Sequence, residues 1–155
     1  VLWGAAVPSI VGKQTWDSLA ADKRYNISLA PNMGLNGLLA PILVFPALTR
    51  TPPLTADGSH YAMVVTPRSP SSTYACAVAT GYMAFDLGMM FVSYKESIKA
   101  NGVAMFHLYV WHHLLSILFW PVAILNNSFV YFVNWFVASE TSSLWLPPPG
   151  ALITL

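Results

Sequence analysis

The stretch that decides the fold is "VAMFHLYVWHHLLSILFWPVAIL", residues 103–125. It is 23 residues long and holds no Asp, Glu, Lys or Arg. A helix needs about 20 mostly apolar residues, each rising about 1.5 Å, to cross about 30 Å of hydrocarbon. This segment meets that requirement and is read as a membrane span. It also carries two adjacent histidines, His112 and His113, in a run from Ala100 to Ser139 that is free of charged side chains apart from its imidazoles. Titratable rings at membrane depth are costly, so a partner or a function has to hold them there.

The rest of the chain agrees with a membrane setting. Of its 155 residues, 55% are hydrophobic and only 8% are charged, whereas soluble domains carry about 25% charged residues because their surface faces water. Net charge is +1, which leaves no basic patch to argue for nucleic acid. The single cysteine, Cys76, excludes an internal disulfide and a Cys-based zinc site. The fold class expected is an all-α integral membrane bundle of about four transmembrane helices.

Three further stretches approach spanning length. Tyr25–Thr49 has no charge after Arg24 and reads "ISLAPNMGLNGLLAPILVFPAL" at its core. Pro31, Pro41 and Pro46 each remove a backbone donor there, so this first span is expected to be kinked. Ser71–Tyr94 carries only Asp86, and Phe129–Leu146 only Glu140. The cluster "NNS" at 126–128 joins the last two spans as a tight hairpin. Lys13, Lys23, Arg24, Lys95 and Lys99 then share one side against Arg50 and Arg68 on the other, which favours a cytoplasm-equivalent N-terminus. The expected organisation is an interfacial segment over 1–24, a transmembrane domain over 25–146 and a Pro-rich tail over 147–155. Trp3, Trp16, Tyr74, Trp135 and Trp145 are placed to anchor at interfaces or meet partners.

In the second span, Ala77, Gly81, Ala84 and Gly88 recur at helical spacing and form a small-residue stripe that permits close helix packing. Asp86 lies off this stripe, and an ionisable group inside a span is a functional candidate. On a helix, His112 and His113 point about 100° apart and cannot chelate one metal together; no metal site follows. His113 shares its face with Tyr109, Ser116 and Trp120. His112 shares its face with Leu108, Leu115 and Phe119, so its partner must come from another helix. Asp86, Asn134 and Glu140 are the polar groups available for that. Two readings stay open: an interhelical hydrogen bond that fixes packing, or a polar centre for a lipid headgroup, an acyl transfer or a pigment.

Three motifs in order, "ATGYMAFDL" at 79–87, "WHHLLSIL" at 111–118 and "VASETSS" at 137–143, resemble the TLC-domain family of multi-spanning membrane proteins. "KRYNIS" at 23–28 is a weaker match to the entry into an early span of that family. The family includes ceramide synthases, translocon-associated proteins and a branch linked to lipid composition or sensing. The resemblance carries His112 and His113 onto the family's double histidine. The His-Asp pair that ceramide synthases add one helix later is missing, since "NWFVASETSS" at 134–143 offers Glu140 and no histidine. Family domains also have more spans than four, so the chain resembles a shortened or partial member.

The function expected from this resemblance is non-catalytic: lipid binding or organising, with membrane lipids and other transmembrane subunits as partners and no required cofactor. One alternative is an accessory subunit of a photosynthetic or respiratory complex, where His107, His112 or His113 could ligate chlorophyll. A second is a lipid acyltransferase with His112 or His113 as general base. The chain begins at Val1, not Met, which would suit a removed organellar presequence; an endomembrane is the alternative location.

Overall fold

The computed structural model describes residues 3–50 and 67–144. All regular structure among them is helical. Two short helices, α1 (Trp3–Val11) and α2 (Lys13–Ser18), lead into α3 (Ala21–Arg50). After the residues outside the description come α4 (Pro70–Val92), α5 (Tyr94–Asn101), α6 (Val103–Leu125) and α7 (Val130–Ser139), closed by a 3-10 turn at Glu140–Leu144. Three of these, α3, α4 and α6, are long and apolar enough to cross a membrane. The chain is an integral membrane protein built as a helical bundle.

Local sequence explains the boundaries. Pro70 opens α4, where its missing N–H is no loss, and the Ser69 hydroxyl caps the helix by accepting from Ser72 N–H at 3.1 Å. Gly102, at φ 79°, ends α5 and begins α6, a backbone conformation that side-chain-bearing residues rarely adopt. The "NNS" turn is present as expected, tightened by left-handed conformations at Asn127 (φ 53°) and Phe129 (φ 57°). Pro31, Pro41 and Pro46 all lie inside α3, which continues through them. The Ser71 hydroxyl donates to the Leu43 carbonyl, tying α4 to this stretch of α3.

The fourth expected span, Phe129–Leu146, is not a span within the described residues. Its helix, α7, has 10 residues, which rise only about 15 Å, half of the hydrocarbon core. Hydroxyls end it: Ser139 Oγ donates to the Phe136 carbonyl at 2.6 Å and Thr141 Oγ1 to the Ala138 carbonyl at 2.7 Å. Such local bonds compete with the helical ladder. The Pro-rich tail at 147–155, and Trp145, lie outside the described residues.

The serpentine path returns the start of α3 and the end of α4 to the same end of the bundle. There Lys99 Nζ sits 2.7 Å from Asp22 Oδ1. Arg50 and Arg68 mark the opposite end, as the charge pattern suggests. An apolar core fills the half nearer Arg68: Ala40 and Val44 of α3, Ala75, Ala79 and Met83 of α4, Ile124 of α6, and Val130 and Val137 of α7. A second apolar group lies towards the other end, where Phe106 meets Phe91 and Tyr94 edge to face at 6.1 and 5.1 Å.

The small-residue stripe is displaced from its expected role within the chain. Ala77, Gly81, Ala84 and Gly88 are all exposed, and a Cβ added at Gly81 or Gly88 would meet nothing within 4 Å. Close approach uses the opposite side of α4, where Ala75 and Ala79 are wholly buried in the core shared with α3. At 100° per residue, both sets make a continuous stripe. Only the fold chooses between them.

Candidate functional site

Between the two apolar groups lies a polar layer. Asp86 comes from α4, His112 and His113 from the middle of α6, Asn36 from the middle of α3, and Glu140 from the turn after α7. Glu140 follows directly on the 10-residue α7, which rises about 15 Å from the hairpin turn and so delivers it to the level of the histidines.

His113 is buried and held at both ring nitrogens. Its Nδ1 lies 2.7 Å from the Tyr109 carbonyl, to which an N–H must donate, and its Nε2 lies 3.0 Å from Asp86 Oδ2. The second contact also needs a proton, carried either by the imidazolium or by the carboxyl group. Both arrangements leave the pair with no net charge, which suits its place inside the membrane. The pair joins α4 to α6 and leaves neither ring nitrogen open. His113 therefore takes the interhelical hydrogen bond that was one of its two readings, with Asp86 as the partner.

His112 is placed differently. Its ring stands perpendicular to that of His113, with centroids 5.5 Å apart. Half of its side chain is exposed (50%), while Nε2 approaches Glu140 Oε1 at 4.0 Å. Glu140 is anchored from the other side, where Asn36 Nδ2 donates to Oε2 at 3.3 Å. Asn36 is 3% exposed, and its Oδ1 has no hydrogen-bond partner among the described residues. An orphaned buried acceptor costs about 1–3 kcal/mol. The layer thus contains an imidazole open to the lipid side, a fixed carboxylate and an acceptor without a donor.

The structure brings Asp86 to His113 and Glu140 to His112. Asn134 is buried on the inner face of α7, and its Oδ1 also lacks a partner among the described residues. His107 is exposed near the start of α6, its ring edge to face with Phe106 at 5.6 Å. Asn36 is the member that reading the sequence misses. Its signal was a lone amide inside "MGLNGLL", in a span otherwise notable for proline and glycine.

Comparison with protein families matches the TLC domain over residues 34–148, well over half of the chain and inclusive of every residue in the polar layer. Comparisons with curated proteins and with solved structures find no match.

Proposed function

The chain belongs to the TLC-domain family, and from that premise we propose that it binds the polar part of a membrane lipid at the His112–Glu140 edge of its polar layer without transforming it. The family is lipid-related, and the observation that carries the reading is the half-exposed His112 beside Glu140. A polar ring facing hydrocarbon is unfavourable alone and is stabilised by a lipid group that hydrogen-bonds to it. The Glu140 carboxylate beside His112 is a hydrogen-bond acceptor, so a lipid hydroxyl or amide, which can donate, suits the site. A phosphate does not, because the Glu140 carboxylate would repel it. His113 supports a non-catalytic role, since both its ring nitrogens are engaged and only His112 remains open.

The test is lipid retention. His112→Ala and Glu140→Gln, purified from the same membranes as the parent chain, are expected to hold about fivefold less of the hydroxyl- or amide-bearing lipid. That is the equivalent of one hydrogen bond of about 1 kcal/mol. Lipid mass spectrometry reads the result. Unchanged retention in both variants would remove the proposal.

A second reading, as an accessory subunit of a larger membrane assembly, is favoured by the outward stripe at Ala77, Gly81, Ala84 and Gly88. Small residues facing out of a transmembrane helix permit another helix to approach closely. Particle size after gentle extraction decides it: Gly81→Leu should release the chain from a large complex if this reading holds.

A further inference from the structure

A groove runs between α6 and α7 on the outside of the bundle. Its volume is about 720 Å³, within the range of pockets that take a small molecule. Phe119, Val122, Phe132 and Phe136 line it, and Asn126 and Ser128 stand at its end by the hairpin turn. Three features identify what fills it.

The first is depth. From Phe119 to Asn126 the helix rises about 10 Å, and α7 itself reaches only to mid-membrane. The groove is therefore about one leaflet deep, half of the ~30 Å hydrocarbon core. An acyl chain from one leaflet has that extent. A partner helix would run across both leaflets and past the end of α7.

The second is charge. The backbone N–H of Arg68 donates to Asn127 Oδ1 at 3.0 Å, which ties the Arg68 main chain to the hairpin turn, between Asn126 and Ser128 at the groove's polar end, within reach of its long side chain. Arg68 is exposed there. Guanidinium groups bind phosphate oxygens well, and at a membrane surface each such charge favours anionic lipid.

The third is the turn itself. Phe129 adopts φ 57°, an outlier conformation for a bulky residue. The turn that holds it so sets its ring on the groove wall, where it meets Phe132 with centroids 6.1 Å apart.

We infer that this groove seats one anionic phospholipid of the Arg68-side leaflet, its phosphate against Arg68, Asn126 and Ser128 and one acyl chain lying between α6 and α7. The site is separate from the His112–Glu140 edge and does not rest on the reading given to it. The two differ in chemistry: phosphate and a cation at the membrane surface here, a neutral hydrogen-bonding group at mid-depth there.

The experiment uses the full chain in lipid nanodiscs containing equal amounts of phosphatidylglycerol and phosphatidylcholine of the same acyl length. Native mass spectrometry then counts the lipids that stay bound. The parent chain should retain phosphatidylglycerol over phosphatidylcholine by about fivefold, the effect of one interfacial cation. Arg68→Gln should bring that ratio to parity. Val122→Trp, which fills the groove from an exposed position, should lower retention of both lipids together. A preference that survives Arg68→Gln, or retention that survives Val122→Trp, overturns the proposal. So does a dimer of the parent chain that Val122→Trp splits, since the groove would then hold a second copy.

Discussion

Asp86→Leu is expected to destabilise the folded chain by about 2 kcal/mol. The substitution leaves His113 Nε2 without its 3.0 Å partner in a position that water does not reach freely, with His113 buried. Severing a buried ion pair from one side costs about 3–5 kcal/mol in water-soluble proteins. Interhelical hydrogen bonds in membranes are weaker, about 0.6 kcal/mol on average and at most about 1.7, because the unfolded chain in lipid also finds partners. A carboxylate–imidazole pair exceeds an ordinary amide contact, so the value falls between those limits. Asp86→Asn supplies an amide N–H that can donate to Nε2 of neutral His113 and should cost less than half as much. Unfolding of the three proteins in one detergent, followed by circular dichroism, gives the comparison. Equal loss in both variants would mean that an amide cannot replace the carboxylate in the pair, and no loss in either would mean that the pairing contributes nothing.

The second large effect concerns which side of α4 faces the bundle. Ala79→Leu inserts three carbons at a position with no exposed surface, within the core shared with α3. Overpacking of this kind costs about 1–3 kcal/mol. Gly81→Leu makes a larger change only two residues away, yet a side chain there enters open space. Glycine is also the poorer helix former, by nearly 1 kcal/mol relative to alanine. Gly81→Leu is therefore expected to leave the isolated chain's stability unchanged or slightly raised. The pair reads the orientation of α4 directly, and the reverse ranking would place the outward stripe inside.

That orientation was not legible in the sequence, for a physical reason. A soluble helix shows its inner face by contrast with a polar outer one. In a membrane the outer face is apolar as well, so Phe85, Phe91 and Tyr74 can be exposed on the same helix that buries Ala75 and Met83. Two stripes of small residues then look equivalent. The spans themselves were legible: α6 begins and ends where the uncharged run does, between Gly102 and Asn126. The half-span was not. Residues 129–146 are mostly apolar, and the polar run 139–143 does not by itself announce that Ser139 and Thr141 turn their hydroxyls onto the preceding carbonyls.

The polar layer was partly legible on the same grounds. Asp86, His112, His113 and Glu140 stand out because an ionisable group in an apolar span has few structural excuses. Their pairing depends on the depth of each helix in the bundle, which spacing along one helix does not give. Asn36 carries no charge and sits among glycines in a span whose prolines draw the reading towards kinks. Its role emerges only with Glu140 beside it at 3.3 Å.

The most direct measurement is photolabelling of the chain in its native membrane. The probe is a lipid carrying a hydroxyl or amide near its polar end and a diazirine two or three carbons below. Peptide mapping then locates the adducts. Binding at the His112–Glu140 edge predicts labelling on α6 around Trp111–Leu115 and on the turn at Glu140–Leu144, lost in His112→Ala. Labelling spread evenly over the outward faces of α3, α4 and α6, and unchanged by that substitution, would contradict a lipid site at the polar layer.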